Sequence, residues 1–318
     1  MKKRMLGDVE VSAIGMGCMG FSHAEGEQTD IDTAAEVIRK AVDMGYTFFN
    51  TGWNYGNVHD PHHNEKILGK ALSGIRHKVV ISSKCGVDFD YSVDADKPPL
   101  LYDFSRNKVR QCVEESLRRL KTDYIDFYLQ ARIDPKTAPE EAAATMVELI
   151  REGKVLHWGV SEANEEYLRK ANAVCPLSVV ENGYSILNRK NERLIPFLEE
   201  FHIGWVAFSP LSKGLLTNTF QKGTVFAADD WRGSTINENN LDRTEALRCY
   251  LQALAKEKEA TVTQISLAWV LNKKPYIVPI PGMKKAERLY ENAAATEVEL
   301  NSEEIAKIDE LATAVGED

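Results

Sequence analysis

The stretch FFNTGWNYG, residues 48–56, runs from apolar residues into a polar turn that carries a single tyrosine, Tyr55. A second apolar run, KVVISSKCG, carries Lys84 near its end. A phenol beside an ammonium can act as an acid, because the cation stabilises the phenolate left behind. Each residue alone has a plainer role, Tyr55 packing at a strand end and Lys84 snorkelling to the surface. Asn50, where an ammonium would want a carboxylate, is neutral. Trp53, in the same turn, and Trp158, in a later run, read as aromatic walls of a substrate pocket.

These residues need strands to hold them. Eight apolar runs recur along the chain: VSAIGMGCM, TFFNTGW, KVVISSKCG, YIDFYLQA, KVLHWGVSE, SVVENGYSI, GWVAFSPL and YIVPIPG. Most are rich in β-branched or aromatic residues, as buried parallel strands should be. Amphipathic segments lie between them, at 32–44, 105–120, 139–152, 164–173, 191–201 and 263–272. In SRNKVRQCVEESLRRL, Ser105 can cap while Val109, Cys112, Val113, Ser116, Leu117 and Leu120 share one face. Alternation of this kind closes most economically into an α/β (β/α)8 TIM barrel. An open doubly wound sheet is the rival, but GMGCMG at 15–20 misses the GxGxxG spacing. MLGDVEVS reads as an N-terminal hairpin turning at Gly7–Asp8 and closing the barrel floor. The weakly periodic, polar stretch 215–245 reads as a loop over the mouth. With no repeat or linker, residues 1–318 read as a single barrel domain.

A formal charge of −9 argues against a broad nucleic-acid footprint. Cys18, Cys85, Cys112, Cys175 and Cys249 are scattered without a CxxC pair. That spacing suits reduced thiols in a cytoplasmic protein better than a disulfide framework or a metal site. No run approaches the ~20 apolar residues of a membrane span, and the basic start lacks a signal-peptide core. The expected partner is a small-molecule substrate, with no nucleic acid and no membrane.

In such barrels chemistry gathers at the C-terminal ends of the strands. The residues there are Asn50, Tyr55, Lys84, Gln130–Ala131–Arg132, Ser161–Glu162, Glu181, Ser209 and Pro281–Gly282. Together with HHNEKILGKAL, DYIDFYLQARIDP, GVSEAN, FSPLSKGLL and IVPIPGMKKAERLYEN, they make the chain resemble the aldo-keto reductase family along nearly its whole length. The resemblance implies carbonyl reduction with NADPH by an Asp–Tyr–Lys–His tetrad. Tyr55 and Lys84 match the tyrosine and lysine, whereas Asn50 stands at the aspartate position and Ala131 at the histidine position. Lys84 without its carboxylate is expected to titrate lower than usual, and Tyr55 to lose part of its cationic field. Ala131 removes a donor at the substrate oxygen. Such losses in a catalytic unit cost orders of magnitude.

PIPGMKKAERLYEN sets a tight turn before a helix with Lys284, Lys285 and Arg288 near its start, a good setting for phosphate. The resemblance assigns Gly282, Lys284, Lys285 and Arg288 to the adenosine 2′-phosphate side, with Glu291 and Asn292 near adenine. It assigns Ser209, Leu211, Lys213 and Gly214 to the pyrophosphate, Phe208 to the face of the nicotinamide, and Ser161 and Asn164 to its amide. Glu181 and Gly183 replace the family's usual glutamine and glutamate, and ionised Glu181 can only accept hydrogen bonds.

The departures collect at the mouth, as in a pocket repurposed by nature or by engineering. Three readings follow. One is an NADPH-dependent oxidoreductase with impaired or altered activity. The second is a non-redox reaction, proton abstraction or retro-aldol cleavage, using Glu181 as base or Lys84 as amine nucleophile. The third is a non-catalytic nucleotide or small-molecule binder.

Overall fold

The computed structural model describes residues 1–94, 98–227 and 230–316. The strands are β1 (Lys3–Leu6), β2 (Val9–Ser12), β3 (Met16–Gly17), β4 (Phe48–Asn50), β5 (Val80–Cys85) and β6 (Val87–Phe89). They continue with β7 (Leu100–Tyr102), β8 (Ile125–Gln130), β9 (Val155–Ser161), β10 (Val179–Gly183), β11 (Gly204–Phe208) and β12 (Ile277–Pro279). The helices are α1 (Ile31–Asp43), α2 (His63–Ala71), α3 (Arg106–Leu120), α4 (Pro139–Arg151), α5 (Glu165–Val174) and α6 (Ile195–Glu200). After them come α7 (Glu238–Arg243), α8 (Glu245–Glu257), α9 (Val262–Lys273), α10 (Ala286–Ala294) and α11 (Ser302–Val315).

Eight strands pair in parallel in the order β12-β11-β10-β9-β8-β5-β4-β3. The amides of Gly15 and Gly17 then bond the carbonyls of Pro279 (2.9 Å) and Pro281 (3.1 Å), joining first strand to last. The sheet closes into a (β/α)8 barrel, and all eight expected runs supply its staves. Side-chain alternation sorts each stave into a bore face and a helix face. Phe48, Phe127, Leu129, Val179, Val206 and Val278 fill the bore, while Trp158, Val180 and Trp205 pack outward among the helices.

β1 and β2 form the expected floor hairpin, its turn made possible by Gly7 at φ +60°. Leu6 and Val11 plug the bore from below. The Arg4 guanidinium ties the hairpin to the wall by donating to the carbonyls of Leu271, Lys274 and Ile277.

The helices are fixed by caps and apolar stripes. The Asp30 carboxylate accepts from the amides of Asp32 and Thr33 at the start of α1, which buries Ala34, Ala35, Ile38 and Ala41. Thr261 and Gln264 form a reciprocal capping box on α9, whose residues Val262 to Leu271 are all buried, except for the half-buried Gln264. The β6–β7 hairpin beside the mouth has no counterpart in the sequence reading. Its strands have three residues each, too few for a periodicity to show. Within 215–245 the chain carries the short α7, and residues 228–229 of that loop lie outside the described residues.

Candidate active site

Asn50, Lys84 and Glu181 point into the bore from β4, β5 and β10, one layer above the apolar plug. β4 and β10 stand four places apart in the closed ring of eight, so Glu181 reaches across the barrel. Lys84 Nζ donates to Glu181 Oε1 at 2.6 Å and to Asn50 Oδ1 at 2.9 Å. Asn50 Nδ2 donates to Glu181 Oε2 at 2.6 Å. The amide thus faces its oxygen to the ammonium and its nitrogen to the carboxylate, the one orientation that satisfies both. All three residues are buried, at 2–3 % exposure.

This arrangement corrects the expectation of a Lys84 without a counter-ion. Burial pulls the ammonium's pKa down, but the charge of Glu181, aided by Tyr55, outweighs it, and Lys84 titrates above the ordinary lysine value. A single sequence did not reveal the partner, because Glu181 lies 97 residues away on another stave.

Tyr55 sits in the turn after β4. Its carbonyl accepts from Ser22 Oγ at 2.7 Å and from the Asn64 amide at 3.1 Å. Asn64, at the start of α2, also bonds Thr51 Oγ1, Ser22 Oγ and the Cys18 carbonyl. The HHNEKILGKAL segment therefore anchors the turn that carries Tyr55. A Cβ at Gly52 would lie 3.2 Å from the Tyr55 ring, so glycine there leaves the ring its place. Lys84 Nζ stands 5.0 Å from the centroid of that ring. Burial raises the phenol's pKa, and the Lys84 charge pulls against that rise without cancelling it.

These groups line a cavity of about 560 Å³, within the range usual for small-molecule sites. Asn50, Tyr55, Lys84, Ala131 and Glu181 meet at its inner end. Phe208, Ser209, Leu211, Lys213, Gly214, Gly282, Lys284, Lys285, Arg288 and Asn292 line the same cavity. Ser209, Ser212 and Lys213 all take positive φ, a winding that turns backbone N–H groups toward one concavity. Asn292 is 1 % exposed, and its Oδ1 is a buried acceptor with no partner. An acceptor left open in this way suits the exocyclic amine of a purine. Lys285 has no ion-pair partner among the described residues, and Arg288 bonds Glu291 and Thr219 Oγ1. Cations and an open acceptor in one groove fit an adenine nucleotide bearing phosphate.

Five expected contacts lie elsewhere. Trp158 is at an outward parity position of β9, fully buried, its Nε1 bonded to the Cys175 carbonyl at 3.1 Å. The Trp53 ring packs on His62 at 4.1 Å, with Lys108 at 4.6 Å, on the helix side of its turn. Neither forms a pocket wall. Asn164 spends its side chain capping α5. Ser161 is buried with its hydroxyl 3.4 Å from Arg132 Nη1, and Glu291 is taken up by Arg288 and Thr261. These three do not line the cavity either.

Trp231, Arg232 and Glu25 do line it and were not singled out in the sequence. Lys213 Nζ lies 4.3 Å from a Trp231 ring centroid, and Arg232 pairs with Asp230 and, at 3.7 Å, with Glu25. AADDWRGS, an aromatic and a cation within a polar loop over the mouth, was the available signal.

The profile of the Aldo/keto reductase family matches residues 13–313. The chain belongs to the aldo-keto reductase family, and oxidoreductase chemistry is what that membership supports. "Probable aldo-keto reductase 1" of Glycine max is 34% identical over 307 residues, covering 94% of this chain and 85% of that protein. The glycerol dehydrogenase of Gluconobacter oxydans superposes with a TM-score of 0.88 at 25% identity, covering 99% of this chain and 96% of that one. The Klebsiella pneumoniae aldo/keto reductase solved with NADP and acetate gives a TM-score of 0.74 at 25% identity, covering 98% and 96%. Among the described residues no helix is long and apolar enough to cross a membrane.

Proposed function

We propose that the protein is an NADPH-dependent carbonyl reductase in which Tyr55 is the general acid. The supporting observation is the buried Lys84–Glu181 ion pair beside the Tyr55 ring. When bound, the reduced nicotinamide supplies a hydride to the carbonyl carbon. Tyr55 then passes its phenolic proton to the carbonyl oxygen, and the Lys84 ammonium steadies the phenolate until solvent restores the proton. The elevated pKa of Tyr55 keeps it protonated through the neutral range, as an acid must be. Arg132 lines the cavity next to Ala131, and its charge is felt at Tyr55. It is the cation best placed to meet a substrate oxygen where the family's histidine is missing. Lys285 and Arg288 support NADPH over NADH, while the open Asn292 acceptor suits the adenine that both nucleotides carry. Unpaired thiols, four of them buried and Cys249 exposed, suit a reducing compartment such as the cytoplasm.

The non-redox readings draw less support. Glu181 already accepts from Lys84 and Asn50, one bond at each oxygen, so a substrate proton would compete with both. A lysine amine is a nucleophile only when neutral, and Lys84 is held in its charged form. The test is NADPH titration by fluorescence followed by a panel of aldehydes and ketones. Nucleotide binding with NADPH-dependent carbonyl turnover supports the proposal, and turnover that needs no nucleotide would replace it.

A further inference from the structure

We propose that Glu181 is the positioning carboxylate of the acid–base pair, supplying from β10 the negative charge that Asn50 lacks on β4. The proposal deepens the reductase reading, on which its kinetic arm rests, while its titration arm rests on the geometry alone.

An ammonium as buried as Lys84 sheds its proton unless a counter-charge holds it. Glu181 is that counter-charge, at 2.6 Å. Asn50 completes the arrangement with a contact to each ion, accepting from one and donating to the other. Positions 50 and 181 are therefore chemically coupled. One must be a carboxylate and the other an amide, since two carboxylates would crowd one ammonium and two amides would strand it. Exchanging the identities preserves the charge count and both bridging bonds. The cation so held is the one that acts on Tyr55.

Arg132, beyond β8, acts on Tyr55 in the same sense as Lys84. Burial pushes the Cys18 thiol beyond β3 far up, so it stays protonated and uncharged. His23 stacks on the Tyr55 ring at 5.7 Å between centroids. None of these contributes a negative charge at neutral pH.

The experiment follows the Lys84 side chain by heteronuclear NMR in the nucleotide-free protein, as pH is raised. Glu181→Gln should deprotonate Lys84 at lower pH than the unmodified protein, and the double variant Asn50→Asp/Glu181→Gln should restore the original titration. With NADPH and a carbonyl substrate, Glu181→Gln should lower kcat about 10²-fold, with little change in the KM for NADPH. The alkaline limb of its pH profile should move to lower pH, because the cation is lost sooner. The double variant should recover most of the rate and the original limb. A Glu181 that served only packing would leave the titration in place. Unmoved Lys84 titration in Glu181→Gln, or a shift that Asn50→Asp fails to reverse, overturns the proposal. Should Glu181→Gln not fold, the double variant decides alone, upholding the proposal if it folds and titrates as the parent does and sinking it otherwise. If no carbonyl is turned over at all, the reductase reading falls while the titration still decides the role of Glu181.

Discussion

The inner end of the cavity and the groove that runs out to α10 are assembled in different ways. In the groove the lining comes from neighbouring segments, with Phe208 at the end of β11, Lys284, Lys285 and Arg288 before and in α10, and Asn292 further on. At the inner end, beside Asn50 and Ala131, one buried cation meets one buried anion from a distant stave. A phosphate site on a helix needs particular donors in a local order. A buried ion pair needs only balanced charge, which any stave facing the bore can supply.

The largest expected effect falls on the proposed acid. Tyr55→Phe should cut kcat about 10²–10⁴-fold and leave nucleotide binding intact, as stopped-flow turnover and fluorescence titration would read. Retained turnover would remove the inner end from the comparison. Next comes Asn50→Asp alone, in the presence of Glu181. The sequence by itself suggests a gain, since it restores an aspartate. The structure predicts a loss of about tenfold or more in kcat, because two carboxylates then face one ammonium and the donor to Glu181 disappears. A gain would show that Glu181 does not carry the charge.

In the groove, Arg288→Ala should raise the KM for NADPH about 10-fold while changing that for NADH little, the loss of one charge-assisted phosphate contact. Equal effects on both nucleotides would place the phosphate elsewhere. A smaller effect is expected at Trp231, whose ring stacks under Lys213 over the mouth. Trp231→Ala should speed nucleotide release by a few-fold, within the range of one cation–π contact. Trp158→Phe should leave kcat and KM unchanged and cost about 1–2 kcal/mol in denaturant unfolding, since it strands the Cys175 carbonyl.

The staves were legible because each is a compact apolar run between turn signals, and a closed parallel barrel is the economical way to bury eight of them. That Tyr55, Lys84 and the segment leading into α10 line one cavity was legible for the same reason: each sits beside a recognisable strand end. Trp158 misled because strand parity decides whether a residue faces bore or helix. His157, Gly159 and Ser161 share the bore parity, and Trp158 falls between them. Asn164 misled because a helix cap and a ligand contact call for the same residue type.

What the sequence determined by itself is the periodic burial that makes the barrel, and the local order of cations before and within α10. Both are properties of short segments, set by which neighbours are apolar and which are charged. The partner of Lys84 was decided only by the tertiary structure. Closure of the ring brings β10 opposite β4, and a carboxylate 97 residues from its lysine becomes its nearest ion. Coulomb attraction depends on distance through space, and distance along the chain carries no record of it.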